Sequence, residues 1–225
     1  MEKIIEQVAA WEFLRQLPAE YAGFTLISEP CVSSSQYTIF SYRKPEDHRE
    51  FTVVYDDATK DFLARVTVGL NEYYDVSFIA ASLANIERSL VQRLERTLDD
   101  MANPRGREYE SIFRGKNILD WPHAAGLPLE LAGFRLFIRP SEALKTINGS
   151  YVVIDYSDFA LASNLAVYYN IYRDEFFGEV RVNRTPRMIN LFDTRELPEL
   201  AEKLEAGLEP ALTDLRREIG GAGHG

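Results

Sequence analysis

Residues 17–26 read LPAEYAGFTL, and residues 127–136 read LPLELAGFRL. Seven of the ten positions are identical at a constant offset of 110 residues. The same offset relates the tryptophan before each stretch, Trp11 and Trp121, and the proline after it, Pro30 and Pro140. A register kept over this distance indicates that one structural unit occurs twice in the chain.

The correspondence continues further along the chain at an offset of 114 residues. It relates tyrosine, phenylalanine, valine and leucine positions of the two copies: Tyr37/Tyr151, Tyr42/Tyr156, Tyr55/Tyr169, Phe62/Phe176, Val66/Val180, Phe78/Phe192, Leu90/Leu204, Leu94/Leu208 and Leu98/Leu212. The four additional residues of the second copy fall between Pro140 and Tyr151, where Asn148-Gly149 is typical of a turn. The sequence therefore predicts a tandem duplication of a unit of about a hundred residues.

Each copy is predicted to be an α-β5-α unit of the α+β class, built on an antiparallel five-stranded sheet. Alternation of apolar and polar residues, clearest in the fourth strand, indicates strands. The predicted strands span residues 23–28, 37–43, 50–56, 61–69 and 73–79, and again 133–139, 150–156, 164–171, 175–183 and 187–192. The short connections leave no room for parallel crossovers and favour an antiparallel meander.

Helices are predicted on both sides of these strands. Apolar residues at helical spacing indicate a helix over residues 3–16, with a shorter counterpart around residues 117–121. Leucines that recur every three or four residues from Leu83 and from Leu197 predict a long C-terminal helix packed on one face of each sheet. Gly207 and Pro210 are expected to kink or split the second of these helices.

The predicted domain organisation follows from the repeat. The first α+β repeat is assigned to residues 1–101 and the second to residues 117–219. The breaker-rich, polar stretch 102–116 is expected to be a linker. The glycine-rich end, residues 220–225, is expected to be a disordered tail.

Composition excludes several classes of partner. The 225 residues carry a net charge of −10, and 46% of them are hydrophobic, as in an ordinary globular protein. An acidic surface repels phosphate backbones and anionic lipid, so we expect neither nucleic-acid nor membrane binding. There is no apolar run of about 18 residues and no apolar signal core, so a cytoplasmic protein is expected. The single cysteine, Cys31, excludes an internal disulfide and a multi-thiolate metal site.

Several predicted strands are apolar or aromatic on both faces. They include Tyr151-Val152-Val153-Ile154 and Leu165-Ala166-Val167-Tyr168-Tyr169. A sheet covered on one side only would alternate cleanly, so the face away from the helix is expected to be covered too. Packing of the two lobes on each other, a homo-oligomer and a tyrosine-rich surface that binds a partner are all consistent with this pattern.

No combination of residues in the sequence predicts catalysis. Three histidines are present: His48 in a polar loop, His123 at a packing position equivalent to Phe13, and His224 in the tail. Neither a catalytic triad nor a histidine metal site is therefore expected. Phosphate-binding glycine motifs are absent as well, and no cofactor is predicted. Asp56, Asp57 and Asp61 surround a hairpin turn without a shared counterpart in the second copy, which favours a solvated turn.

The function predicted from these observations is a non-enzymatic protein-interaction module of the adaptor, immunity-like or chaperone-like kind. Its partner is expected to be another protein or a second copy of the chain. The alternative is a small-ligand-binding protein with an aromatic cleft between the two repeats. The candidate binding residues are four tyrosines at equivalent positions and three arginines that occur only in the second copy: Tyr42, Tyr55, Tyr156, Tyr169, Arg181, Arg184 and Arg187.

Overall fold

Two antiparallel sheets of seven strands form the framework of the chain, which a computed structural model describes over residues 1–104 and 108–222. The sheets belong to two units, Met1–Asn103 and Pro104–Gly225. Within the predicted linker, residues 105–107 lie outside the described residues, and Ser111–Gly115 is helical. Of the predicted tail, residues up to Ala222 are helical, and residues 223–225 lie outside the described part.

The first unit begins with a helix and ends with a longer one. Its elements are α1 (Glu2–Ala9), β1 (Glu20–Tyr21), β2 (Phe24–Ile27), β3 (Cys31–Ser33), β4 (Gln36–Lys44), β5 (Arg49–Asp56), β6 (Asp61–Val68), β7 (Asn71–Ala80) and α2 (Leu83–Ala102), with 3-10 helices at Glu12–Arg15 and Pro45–Asp47. The strand order is β1-β2-β4-β5-β6-β7, and β3 pairs with β4.

The second unit has a sheet of the same order. Its elements are α3 (Ser111–Gly115), β8 (Glu130–Leu131), β9 (Phe134–Ile138), β10 (Leu144–Lys145), β11 (Ser150–Asp158), β12 (Ser163–Asn170), β13 (Glu175–Val182), β14 (Thr185–Thr194) and α4 (Leu197–Ala222), with 3-10 helices at Pro122–Gly126 and Pro140–Glu142. The order is β8-β9-β11-β12-β13-β14, and β10 pairs with β11.

The predicted α-β5-α fold class is wrong. Each sheet has seven strands, and the chain is β-rich, with 40% of its residues in strands. The strands that pattern reading missed, β1, β3, β8 and β10, are two or three residues long, too short to show alternation. The helix predicted over residues 3–16 ends at Ala9, and the helix predicted near 117–121 is replaced by α3 at Ser111–Gly115.

The stretch that identifies the repeat forms a tight hairpin in both units. Tyr21 pairs with Phe24 across the two-residue turn Ala22-Gly23, whose φ angles are 51° and 82°. The second copy has φ angles of 50° and 79° at the equivalent Ala-Gly pair, residues 132 and 133. Positive φ at both central positions is the type I′ geometry that matches the twist of adjoining strands, and glycine adopts it at low cost. This explains why glycine recurs at the second central position, as Gly23 and Gly133.

The long edge strands β7 and β14 carry a bulge at the same position. Phe62 and Ala64 of β6 pair with Ala80 and Asp75 of β7, so a step of two residues opposes a step of five. The second sheet repeats this register, with the pairs Phe176↔Thr194 and Gly178↔Ile189. The extra residues bend the edge strand, as bulges do, and Val76 at 74% and Leu191 at 43% are exposed there.

Both faces of the central strands are buried, which confirms the expectation drawn from their two-sided apolar pattern. All eight residues of β12 are buried. Tyr151, Leu165, Val167 and Tyr169 belong to the core cluster beneath α4. The side chains that alternate with them, Ala166 and Tyr168 among others, are also buried.

The long helices present their leucine stripes to the sheets. Helix α2 contacts β6 and β7, and α4 contacts β13 and β14. The split predicted for α4 is wrong, because the helix continues through Pro210 to Ala222. Ala206 and Pro210 are exposed, so water can satisfy the carbonyl that the proline leaves without a donor. Among the described residues, none of the helices is long and apolar enough to cross a membrane.

Candidate functional site

A groove opens between the long helix and the segment that leads into the sheet in each unit. The first groove has a volume of about 210 Å³ and is lined by Phe13, Gln16, Leu17, Pro18, Tyr21, Tyr42, Leu90, Val91, Leu94, Glu95 and Leu98. The second groove has a volume of about 400 Å³ and is lined by Pro122, His123, Gly126, Leu127, Pro128, Leu131, Leu204, Glu205, Leu208 and Glu209.

The two grooves occupy corresponding places in the two units. Their lining residues match at the offsets of 110 and 114 found in the sequence: Phe13/His123, Gln16/Gly126, Leu17/Leu127, Pro18/Pro128, Tyr21/Leu131, Leu90/Leu204, Val91/Glu205, Leu94/Leu208 and Glu95/Glu209. Five of these pairs consist of the same residue in both units. Four of them are apolar, and the fifth is the glutamate pair. The same concave surface therefore exists in both units.

A buried tyrosine fixes one wall of each groove. The Tyr42 hydroxyl donates a hydrogen bond of 2.8 Å to the carbonyl oxygen of Pro18, and Tyr156 donates one of 2.7 Å to Pro128. Burial raises the pKa of each phenol to about 12, and the charge of Glu95 contributes at Tyr42. Both hydroxyls therefore stay protonated as donors, and they hold the Leu-Pro segment in front of the long helix.

Aromatic rings line one end of the first groove. The Phe13 ring stacks on Trp11 with centroids 5.2 Å apart, and the Trp11 Nε1–H donates to Glu87 Oε2 at 2.6 Å. At the other end, Tyr21 donates to Asp99 Oδ2 at 3.1 Å. Partial burial, the hydrogen bond to Asp99 and nearby carboxylates raise the pKa of Tyr21. The first groove is therefore apolar at its floor and acidic at its rim.

A histidine and a glutamate replace two apolar residues in the second groove. His123 stacks on Trp121 with centroids 5.0 Å apart, and its Nδ1 lies 3.6 Å from Glu205 Oε1. The equivalent residues of the first groove are Phe13 and Val91. The exchange at both positions keeps the stacking on tryptophan and adds a polar pair at the mouth.

The four candidate tyrosines lie in the cores of the two units. Only Tyr42 also lines a groove. Tyr55 is 6% exposed and packs on Phe62 at 5.1 Å, and Tyr169 donates to Asp174 Oδ1 at 2.7 Å. Burial and this hydrogen bond raise the pKa of Tyr169. The hydroxyls of Tyr42, Tyr156 and Tyr169 donate to acceptors inside their own units, so these side chains stabilise the fold.

The three candidate arginines are placed differently from one another. Arg181 is largely buried and pairs with Glu179 at 2.8 Å. Arg187 pairs with Glu218 at 2.9 Å, and Arg184 lies exposed in a turn at φ 70°. A carboxylate neutralises two of the three, which leaves little concentrated positive charge on this hairpin.

A buried polar cluster was not anticipated from the sequence. Asp155 is fully buried, and its carboxylate accepts hydrogen bonds from Ser157 Oγ at 2.7 Å and from Asn164 Nδ2 at 3.1 Å. Within the described residues, no group of His, Cys, Asp and Glu side chains is arranged to hold a metal ion.

Apart from Tyr42, the groove residues were not predicted from the sequence, because each of them suits core packing or an exposed loop. A signal was present, since the paired glutamates flank the leucine ladder at Leu94/Glu95 and Leu208/Glu209. Comparison with known proteins adds no assignment: neither a family model, nor a curated protein, nor a solved structure is significantly similar to this chain.

Proposed function

We propose that the chain is a tandem duplication that acts as a non-enzymatic protein-interaction module, in which each groove accepts apolar side chains of a partner protein. The observation that carries the proposal is the recurrence of one groove at matched positions of both units. The proposal retains the adaptor-like role and the cytoplasmic location expected from the sequence. It places binding in the grooves and assigns the buried tyrosines a positioning role.

The size of the grooves supports a partner side chain as the occupant. Pockets for small molecules commonly enclose about 300–1,000 Å³ and bury most of the ligand. The first groove, at about 210 Å³, falls below this range, and the second, at about 400 Å³, lies near its lower end. Leucine walls with a polar rim are typical of the pocket that receives an anchor residue at a protein interface.

An exposed valine provides the sharpest test. Val91 lines the first groove and is 70% exposed, whereas Val76, also in the first unit, lies outside it and is 74% exposed. Peptides should be selected from a random display library against the whole protein, and their affinities measured by fluorescence anisotropy. For peptides bound in the first groove, Val91→Ser is expected to weaken binding about tenfold, because an apolar contact of one side chain is lost. Val76→Ser serves as the matched control.

Binding through the grooves predicts that selected peptides fall into two sets. One set is sensitive to Val91→Ser, and the other is sensitive to Leu131→Ser, a change in the wall of the second groove. Peptides that bind tightly yet respond to neither substitution, or that respond equally to Val76→Ser, would place the interaction elsewhere and contradict the proposal.

A further inference from the structure

We infer that the segment received by each groove is basic and amphipathic, with apolar anchors on the leucine floor and a lysine or arginine opposite Glu95 or Glu209. The inference rests on the proposed function and names the chemistry of the partner. The proposed occupant is a segment of a partner protein, because the groove lining carries carboxylates that a cationic side chain would complement.

A carboxylate stands at the same point of both grooves. Glu95 follows Leu94 in α2 and Glu209 follows Leu208 in α4, and all four residues line their grooves. Both glutamates are exposed. In the described part of the chain, neither carboxylate forms a hydrogen bond or an ion pair.

Several other acids of the two long helices are engaged. Glu87 accepts from the Trp11 indole at 2.6 Å, Glu199 pairs with Lys203 at 2.9 Å, and Asp214 pairs with Arg217 at 2.7 Å. Glu95 and Glu209 are therefore available to a cation from outside the chain. Desolvation on binding would strengthen such a contact relative to one in water.

The rest of the lining favours the same sign of charge. The described residues that line the two grooves include glutamates and one histidine, but no lysine or arginine. In the first groove, burial is the main cause that raises the pKa of Tyr21 and of Tyr42, and the negative charge of Glu95 adds to it at both phenols. The net charge of −10 attracts a basic segment over longer distances.

The test uses three fluorescein-labelled helical peptides with the same leucine face and with lysine, glutamine or glutamate on the polar face. Affinities for the whole protein are measured by anisotropy at low salt. We expect the leucine/lysine peptide to bind most tightly. In the double variant Glu95→Gln, Glu209→Gln, its affinity is expected to fall about threefold to tenfold, the range of one or two rim ion pairs, while the leucine/glutamine peptide is unaffected.

The double variant Glu29→Gln, Glu46→Gln is the control, since it removes the same charge from two exposed positions outside the grooves. Equal binding of the lysine and glutamine peptides would overturn the inference and leave the proposed function standing. An equal loss of affinity in the control variant would overturn it as well, because the effect would then come from net charge. Failure of all three peptides to bind would count against both the inference and the proposed function.

Discussion

Phe113→Ala is expected to lower the free energy of unfolding of the second unit by about 3–5 kcal/mol, the usual cost of removing a fully buried aromatic ring. The Phe113 side chain is 0% exposed. It stacks on Tyr151 with centroids 4.1 Å apart and on Tyr109 at 5.2 Å. Its removal would leave a cavity under the sheet, between the segment that precedes the sheet and strand β11.

The neighbouring residue provides the control. Ile112 lies in the same short helix but is 57% exposed, so Ile112→Ala is expected to change stability by no more than about 0.5 kcal/mol. Urea unfolding gives the total loss, and hydrogen exchange followed by mass spectrometry assigns it to β11 and β12 or to the strands of the first unit. Similar stability of the two variants would show that this segment is a linker, as the sequence had predicted.

Arg216→Ala is expected to cost about 2–3 kcal/mol at neutral pH, because it removes several hydrogen bonds of a charged group at once. The guanidinium donates to Asp158 Oδ2 at 2.7 Å, to the Gly133 carbonyl at 2.7 Å and to the Ala132 carbonyl at 3.1 Å. It also lies 4.3 Å from the centroid of the Phe134 ring. Arg216 thus links α4 to the type I′ turn between β8 and β9.

The loss caused by Arg216→Ala should depend on pH in a defined direction. Burial alone would raise the pKa of Asp158, but hydrogen bonds from Arg216 and from the Leu161 backbone outweigh it and lower the pKa below the ordinary value of 3.8. A carboxyl group whose pKa is lowered in the folded state stabilises the protein at any pH above its unfolded-state pKa. This contribution disappears as the pH falls through the folded-state pKa. The difference between wild type and variant should therefore shrink below pH 3.8.

Arg217→Ala is the matched control for this prediction. Arg217 is the next residue of the same helix, its side chain is 75% exposed, and among the described residues it pairs with Asp214 alone. Such a pair contributes about 0–1 kcal/mol. Urea midpoints measured from pH 3 to 7 give both comparisons. A difference between wild type and Arg216→Ala that persists unchanged at acid pH would show that Asp158 plays no part in it.

The long elements of the fold could be predicted from the sequence because their patterns span several periods. Strands β4 to β7 and β11 to β14 were located by alternation or by runs of apolar and aromatic residues, and α2 and α4 by their leucine ladders. The short strands could not be found, since two residues contain no period. Pro210 was expected to break α4 because sequence does not show that its side of the helix faces water.

The candidate site was harder to predict than the long strands and helices. The sequence does not show which tyrosine hydroxyls donate hydrogen bonds to acceptors inside their own unit. Tyr42 and Tyr156 look like surface residues of a binding face until the carbonyls of Pro18 and Pro128 are seen to accept their hydroxyls. Each groove lies between the Leu-Pro segment and the long helix of its unit. These segments are far apart in the sequence, so a local pattern does not predict that they meet. Several lining residues recur in the sequence, Leu17, Pro18, Leu90, Leu94 and Glu95 among them, but recurrence alone does not distinguish a groove from a core.

The central claim is that each unit binds partner side chains in its own groove. It can be tested with the two indole N–H signals of the chain. The sequence contains two tryptophans. Trp11 stacks on Phe13 of the first groove, and Trp121 stacks on His123 of the second. In a ¹H–¹⁵N correlation spectrum, titration with the leucine/lysine peptide is predicted to shift both indole signals until they saturate. Binding detected by anisotropy that leaves both signals in place would contradict the account.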